Sequence, residues 1–264
     1  MDEFGILVFG HTRPMYIADV LKSLQLQNSL DNVCVWLDGH QGVPELKHKV
    51  ELVRNVVSKF PVARVYAHNG TLGFRKLILQ ALSIAANNYR HLLILEDDCF
   101  PTKNAVEIFK RELKETEDND EIFSVYGHPF LVPAEKKYCT RFQGWGWGTS
   151  SEKLKPFLDQ LIDCYSMTEE QYLQFVHRHL TKDVLARLDV TPPRQPSHTL
   201  TKFFAWDETL ALLTAVGNKK HKPTSERTIY NFGACKDSSR FKNSAWFAAP
   251  PFNMIRHEDI WNYF

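Results

Sequence analysis

Three consecutive acidic residues follow a strongly apolar stretch in the first half of the chain. Glu96, Asp97 and Asp98 come directly after residues 92–95, which are leucine, leucine, isoleucine and leucine. Carboxylates this close raise one another's pKa unless a cation neutralises them. Because Mg²⁺ and Mn²⁺ prefer oxygen ligands and also bind phosphates, the triplet indicates a metal site that holds a diphosphate. The alternative is a turn or a helix N-cap, since aspartate is common at both.

A second segment that could bind a ligand is rich in glycine and tryptophan. Residues 144–148 read Gly-Trp-Gly-Trp-Gly. Glycine lets the backbone approach a ligand closely, and tryptophan rings offer broad faces on which the apolar side of a sugar can stack. Trp145 and Trp147 are therefore candidates for binding a carbohydrate acceptor. Core packing at a tight bend is the alternative.

The elements that must position these residues alternate between strand and helix. Continuous apolar runs predict buried strands, and apolar residues at helical spacing predict helices between them. The predicted strands are residues 5–10, 32–37, 63–67 and 91–95, and the predicted helices are residues 15–26, 45–60 and 72–89. This alternation predicts an α/β fold with a mostly parallel, doubly wound sheet. Ligands of such sheets lie at the carboxyl ends of the strands, where Asp38 and the acidic triplet both fall.

The alternation fades after a predicted helix ending near residue 115 and a predicted strand at 122–126. Beyond them we expect a polar helix or pair of helices at 167–188, a proline-rich connection at 190–197 and a helix that starts near Trp206. The second half is therefore predicted to be an elaboration packed on the first. We divide the chain into residues 1–127 and 128–264, as two halves of one domain.

Composition and charge limit the classes of partner. The chain has 264 residues, a net charge of +1 and a pI near 7.7, so its overall charge gives no reason to expect nucleic acid. Its five cysteines show no CxxC spacing, which argues against a disulfide framework or a structural zinc site and favours a reducing cytoplasm. The amino terminus lacks the features of a signal peptide. The basic stretch at 219–222 leaves open a peripheral contact with anionic lipids at the inner face of a membrane, with a solvated surface as the alternative.

Six short segments, in this order, resemble the family 2-like glycosyltransferases of the GT-A fold and, more distantly, the N-acetylglucosaminyltransferase I group. They are Val8-Phe9-Gly10-His11-Thr12-Arg13-Pro14, Asn69-Gly70-Thr71-Leu72-Gly73-Phe74-Arg75, Leu95-Glu96-Asp97-Asp98-Cys99-Phe100-Pro101, Gly144-Trp145-Gly146-Trp147-Gly148-Thr149, Phe204-Ala205-Trp206-Asp207-Glu208, and Tyr230-Asn231-Phe232-Gly233 with Asp237. The resemblance implies a GT-A-like fold and an inverting transfer of sugar from a nucleotide diphosphate-sugar donor to a carbohydrate acceptor. A role in surface polysaccharide synthesis is the biological expectation.

The resemblance also implies donor-binding roles for residues of the first half. Arg13 and Asp38 would lie near the nucleoside, and Arg75 would approach the phosphates. The alternatives for these three are a solvated charge, a turn-forming aspartate and a helix-surface arginine. In the family's DxD-like motif, Asp98 would bind Mn²⁺ or Mg²⁺ directly. Glu96 and Asp97 would belong to the donor site, with Asp97 holding ribose, sugar or metal-bound water.

The catalytic base implied by the resemblance is Asp207. In an inverting transfer a carboxylate deprotonates the acceptor hydroxyl while its oxygen attacks the anomeric carbon. Glu208 is the reserve candidate for this role. The alternative for Asp207 is a cap on the apolar helix that follows it.

Other activities suit the same residues. A retaining glycosyltransferase or a sugar nucleotidyltransferase would use a metal-bound diphosphate on the same scaffold. A non-catalytic carbohydrate-binding subunit with a degenerate site belongs to a different class. The half formed by residues 1–127 would bind the nucleotide-sugar in the leading interpretation, and residues 128–264 would bind the acceptor.

Overall fold

The computed structural model describes residues 1–40, 42–130, 137–188, 203–235 and 242–264. The strands are β1 (Asp2–Gly10), β2 (Val33–Leu37), β3 (Arg64–Ala67), β4 (Tyr89–Glu96), β5 (Cys99–Pro101), β6 (Ile122–Tyr126), β7 (Trp147–Ser150), β8 (Lys220–Pro223) and β9 (Ile229–Asn231). The helices are α1 (Pro14–Leu26), α2 (Pro44–Val57), α3 (Phe74–Asn88), α4 (Ala105–Glu115), α5 (Ser151–Ser166), α6 (Glu169–His179), α7 (Lys182–Leu188), α8 (Trp206–Val216) and α9 (Ser244–Ala248). Two 3₁₀ segments span Leu30–Asn32 and His257–Tyr263.

Seven strands form one sheet in the order β3-β2-β1-β4-β7-β6-β8. Strands β3, β2, β1 and β4 are mutually parallel, whereas β7 runs antiparallel to both of its neighbours, β4 and β6. Strand β8 is parallel to β6 at the far edge, and β5 and β9 pair separately as an antiparallel ribbon. The predicted α/β fold with a mostly parallel sheet is confirmed.

Helices cover both faces of this sheet because its central strands are apolar on both sides. In β1, Ile6 and Val8 pack in a core with α1, α2 and α4, while Leu7 and Phe9 pack in a second core with α3, α5 and α8. All four side chains are at most 2% exposed. This double burial is the reason that β1 is a continuous apolar run in the sequence. The doubly wound arrangement is therefore also confirmed.

The second half contains elements that sequence patterns did not predict. Helix α5 follows β7 directly and is capped by Ser150, whose hydroxyl accepts from Lys153 N at 3.4 Å. Its interior proline, Pro156, is a residue that usually interrupts helices. The polar segment predicted as one helix or two is the pair α6 and α7. No helix in the described ranges is both long enough and apolar enough to cross a bilayer.

Candidate functional site

The acidic triplet lies where β4 ends, at the carboxyl edge of the parallel half of the sheet. Glu96 is the last residue of β4 and pairs in register with Phe9 of β1. Asp97 and Asp98 form the turn into β5 and are 4% and 7% exposed. Helix α4 starts later, with Asn104 at its cap position. The helix-cap alternative for these acids is therefore wrong, and the structure leaves two buried carboxylates beside a third acid.

Arg13 is the cation that contacts these acids. Its Nη1 donates to Asp98 Oδ2 at 2.8 Å, and its Nε donates to Asp97 Oδ2 at 3.3 Å. Its Nη2 donates to Asp97 Oδ1, so Arg13 contacts both carboxylate oxygens of Asp97. Arg13 is at the cap position of α1, in the loop that follows β1. Because β1 and β4 are neighbours in the sheet, that loop lies beside the turn that carries the acids.

The acid cluster is short of positive charge even with Arg13 in place. Burial, together with the charges of Asp98 and Asp207, raises the pKa of Glu96 to about 8. Burial also raises the pKa of Asp97 to about 6, although Arg13 opposes this shift. Such crowding favours the arrival of another cation and is typical of functional sites.

The loop after β9 packs directly on Asp98. Phe232 N donates to the Asp98 carbonyl at 2.9 Å, and Gly233 N donates to Asn231 Oδ1 at 2.9 Å. A Cβ built on Gly233 would overlap Asp98 Oδ2, so the loop requires glycine here. The sequence resemblance singled out this segment, and the structure brings it to the acids. Its companion Asp237, and the neighbouring Lys236 and Arg240, lie outside the described residues.

His128 forms a hydrogen bond with this loop, and it was not predicted from the sequence. Its Nδ1 accepts from Asn231 N at 3.1 Å, and its Nε2 donates to the Phe252 carbonyl at 2.8 Å. Burial, followed by the charge of Arg227, lowers the pKa of His128 to about 3. The imidazole is therefore neutral and structural. A single histidine beyond the end of a strand gave no pattern by which to find it.

Asp207 lies in the first turn of α8 and lines an open cleft that Glu96 also lines. The cap position of α8 is Ala205, whose side chain makes no capping hydrogen bond. Asp207 therefore is not the N-cap, although a carboxylate in the first turn of a helix interacts favourably with the helix dipole. Trp145 and Phe130 line the same cleft.

Glu208 differs from Asp207 because it is held in a buried ion pair. Arg141 Nη2 donates to Glu208 Oε1 at 2.7 Å, and Arg141 Nη1 donates to the Leu188 carbonyl at 3.1 Å. Both side chains line the cleft wall. A carboxylate paired with a guanidinium is a poorer proton acceptor, so the geometry favours Asp207 over Glu208 as a base. Arg141 was not singled out from the sequence.

Asp38 and Arg75 lie near the same edge with contacts of their own. Asp38 is 6% exposed, and its carboxylate accepts from the backbone N–H groups of Gly39, Leu72 and Gly73 at 2.8 to 3.0 Å. It thereby fixes the loop that leads into α3. Arg75 is exposed on the first turn of α3, with its guanidinium 5.9 Å from the ring centre of Phe203. Their donor-binding roles stay predictions.

The two tryptophans predicted to bind the acceptor have different environments. Trp145 is half-buried at the cleft, with its ring centre 4.1 Å from that of Phe130. Trp147 is 0% exposed and packs between Phe142, at 4.8 Å, and Phe123, at 6.3 Å. The expectation that Trp147 contacts an acceptor is therefore wrong, because its ring has no surface to offer and belongs to the core.

The basic stretch at 219–222 pairs with acids and carbonyls of its own chain. Lys220 pairs with Glu121 at 2.6 Å, Lys222 pairs with the buried Glu112, and Lys219 Nζ donates to the Asp120 carbonyl at 2.6 Å. His221 is fully buried. These contacts give the stretch a structural role at the sheet edge, and a lipid contact stays a prediction.

The acid cluster fits a divalent cation that is shared with a diphosphate. Among the described residues, no group of three or more His, Cys, Asp or Glu side chains is arranged to hold a metal ion. Mg²⁺, however, commonly takes one or two carboxylates and completes its shell with phosphates and water. Asp97 and Asp98 supply hard oxygen ligands, and the lack of a side chain on Gly233 lets the loop after β9 lie close against Asp98 Oδ2. The donor set therefore suits Mg²⁺ or Mn²⁺, and a metal-ligand role for Asp98 stays a prediction.

Comparison with known proteins gives a likeness in structure. No protein-family model and no curated protein matches the chain. A mannosyltransferase from Pyrobaculum calidifontis, in complex with GDP-Man and Mn²⁺, is 15% identical with a TM-score of 0.43, over 59% of this chain and 46% of that one. S. aureus TarS 1-349 is 13% identical with a TM-score of 0.48, over 87% of this chain and 60% of that one. A 4-diphosphocytidyl-2C-methyl-D-erythritol synthase from Anaerococcus prevotii is 6% identical with a TM-score of 0.44, over 67% of this chain and 84% of that one.

These similarities concern the fold alone. The chain spans less than half of the mannosyltransferase and about three fifths of the TarS fragment. The strand order of the chain itself confirms the expected α/β fold with a mostly parallel sheet.

Proposed function

We propose that the protein is an inverting, metal-dependent glycosyltransferase that moves a sugar from a nucleotide diphosphate-sugar onto a carbohydrate acceptor in surface polysaccharide synthesis. The observation that carries this proposal is the shared cleft. Glu96, which begins the acid cluster, and Asp207, at the start of α8, line the same opening. One wall suits a cation-bound diphosphate, and the other offers a carboxylate for proton transfer.

Asp207 performs the proton transfer in this proposal. Its carboxylate takes the proton of the acceptor hydroxyl as that oxygen bonds to the anomeric carbon, and the bond from this carbon to the diphosphate breaks. Attack from the side opposite the diphosphate inverts the anomeric configuration. Asp207 is half-buried at the cleft, while Glu208 is paired with Arg141. Mn²⁺ or Mg²⁺, when bound, stabilises the negative charge of the departing diphosphate.

The remaining residues bind the two substrates in this proposal. Asp38, Arg75 and Arg13 serve the donor, because they lie at the carboxyl edge of the parallel strands, where α/β sheets bind ligands. Asp38 and Arg13 lie on loops there, and Arg75 lies in the first turn of α3. Trp145 offers a partly exposed ring to the acceptor at the cleft. A cytoplasmic location is part of the proposal, since the five cysteines are all free.

The test is Asp207→Asn, assayed with a panel of uridine, thymidine and guanosine diphosphate-sugars and Mn²⁺. We expect sugar transfer and donor hydrolysis to fall by roughly 10²- to 10⁴-fold, the usual contribution of a general base. Binding of the matching nucleotide diphosphate should change by less than about threefold, since the acid cluster is intact. Nuclear magnetic resonance of the product should show an inverted anomeric centre.

A matched control is Asp183→Asn, which removes an exposed carboxylate from the first turn of α7. This variant should keep the wild-type rate. Unchanged turnover in Asp207→Asn would remove Asp207 as the base, and a retained anomeric configuration would replace the inverting mechanism with a retaining one. Failure of every donor to react would count against the transferase assignment itself.

A further inference from the structure

Arg13 lies over the acid cluster in a position that a ligand can reach. Its side chain is 34% exposed, whereas those of its partners Asp97 and Asp98 are 6% and 10% exposed. The guanidinium is thus more exposed to solvent than the two carboxylates that it contacts. The ring of Tyr16 supports it from α1, with the Arg13 Cζ 5.1 Å from the ring centre.

The same carboxylate oxygens would have to serve both Arg13 and a metal ion. Asp98 Oδ2 accepts from Arg13 Nη1 at 2.8 Å, and Asp98 Oδ1 faces Asn231 Nδ2 at 3.5 Å and Cys99 Sγ at 3.8 Å. Both carboxylate oxygens of Asp97 also accept from Arg13. A divalent cation that binds through Asp98 Oδ2 or through either oxygen of Asp97 must therefore displace the guanidinium or share an oxygen with it, at the cost of charge-assisted hydrogen bonds.

A diphosphate would give Arg13 another partner. The planar guanidinium matches phosphate oxygens as well as it matches carboxylates, and it can bind either through two parallel N–H groups. If a diphosphate takes over Arg13, the carboxylates become available to the metal at the same moment. Any such exchange links the two binding equilibria, and the linkage is reciprocal.

We propose that Arg13 is a competitive internal cation that couples metal binding to donor binding. Without a donor it pairs with Asp97 and Asp98 and keeps the affinity for a divalent cation low; with a donor it moves to the diphosphate. The inference rests on the proposed function and adds an order to it, in which the metal enters tightly only together with the nucleotide.

The decisive experiment measures Mn²⁺ binding in the absence of any nucleotide, by the electron paramagnetic resonance of free Mn²⁺. Wild type is compared with Arg13→Met, which keeps much of the length and apolar volume of the side chain but removes the guanidinium group. We expect Arg13→Met to bind Mn²⁺ at least tenfold more tightly than wild type. Mn²⁺ should also raise the thermal midpoint of the variant more than that of wild type, because a ligand stabilises the native state that binds it.

The matched control is Arg90→Met, which breaks an arginine–carboxylate pair with Glu117, 2.6 Å apart and remote from the acid cluster in the sheet. Its Mn²⁺ affinity should equal that of wild type. If Arg13→Met does not fold, Arg13→Lys is measured in its place. Lysine keeps the positive charge but cannot form two parallel N–H hydrogen bonds, and this variant should bind Mn²⁺ about threefold more tightly than wild type. Equal or weaker Mn²⁺ binding in the folded Arg13 variants would overturn the competition. That result would leave the transferase proposal standing, since the proposal depends on donor binding and on Asp207.

Discussion

At the scale of single residues, Asp98 is the point at which three separate parts of the chain meet. The side chain of Arg13 reaches it from the loop after β1, and the backbone of Phe232 and Gly233 reaches it from the loop after β9. Its own position is set by the turn between β4 and β5. The hydrogen bond from Phe232 N to the Asp98 carbonyl fixes the backbone of Asp98, so its carboxylate is positioned before a ligand binds.

Gly233 is the residue whose small size this arrangement demands. Gly233→Ala would place a Cβ on Asp98 Oδ2, so either the loop or the carboxylate must shift. Overpacking of this kind costs about 1–3 kcal/mol, which corresponds to roughly 5- to 150-fold in affinity if it falls on the ligand. We therefore expect weaker binding of a nucleotide diphosphate with Mn²⁺, measured by calorimetry. Gly217→Ala is the control, since a Cβ there meets no atom closer than 3.3 Å; equal affinities in the two variants would contradict the packing argument.

The sequence predicted the acids but not their partners. A triplet of carboxylates after an apolar run is a local pattern, visible without any knowledge of the fold. The pairing of Arg13 with Asp97 and Asp98 depends on β4 lying beside β1, although 84 residues separate Arg13 from Asp97. Trp147 was misassigned for the same reason, since its burial follows from β7 entering the middle of the sheet.

At the scale of elements, the polar strand β8 is held at the sheet edge by charge as well as by backbone pairing. Lys222 of β8 donates to Glu112 of α4, whose carboxylate is 1% exposed and also accepts from Ser225 N at 2.8 Å. Burial alone would raise the pKa of Glu112, but the hydrogen bonds from Lys222 and Ser225 outweigh it and lower the pKa below its ordinary value. Helix α4 and β8 are thus linked through one ionised side chain.

Glu112→Gln should therefore destabilise the protein in a pH-dependent way. A carboxylate whose pKa is lower in the folded state stabilises that state above its unfolded pKa of about 4.3, and loses the contribution as the pH falls below it. We expect a loss of about 2 kcal/mol in the free energy of unfolding at pH 7, the size of hydrogen bonds to a charged group. Urea unfolding at pH 7 and near pH 4 should show that the difference in the free energy of unfolding between wild type and variant becomes smaller on acidification.

Glu121→Gln is the control for this pair, because Glu121 contacts Lys220 of the same strand at an exposed position. Exposed ion pairs contribute little to stability, so this variant should resemble wild type at both pH values. If the loss of unfolding free energy in Glu112→Gln did not depend on pH, the charge of Glu112 would not be what links α4 to β8.

Elements of the first half were predictable and several of the second half were not. The strands β1, β2 and β4 are buried on both faces, which produces the apolar runs that mark them in sequence, whereas β3 lies at the sheet edge and is mostly exposed. Strand β8 reads Lys-His-Lys-Pro and lies at an edge, where nothing in its composition distinguishes it from a solvated loop. Helix α5 was missed because Pro156 interrupts a pattern that tertiary packing nevertheless stabilises.

At the scale of the whole molecule, the two halves of the sequence form one sheet and one cleft. Strands β7 and β8 come from the half beyond residue 127, yet β7 inserts between β4 and β6 of the first half. The cleft takes Glu96 from the first half and Asp207 from the second. This arrangement is consistent with two halves of a single domain, and the exact division at residue 127 stays a prediction.

The central claim is that the acid cluster binds a nucleotide diphosphate through a divalent cation. It is tested most directly by calorimetry of uridine, thymidine and guanosine diphosphates, each with and without Mn²⁺, on wild type and on Asp98→Asn. We expect one nucleotide to bind wild type with Mn²⁺, to bind at least tenfold more weakly without it, and to lose this dependence in Asp98→Asn. Nucleotide binding that is equal with and without Mn²⁺, or equal in wild type and Asp98→Asn, would contradict the account.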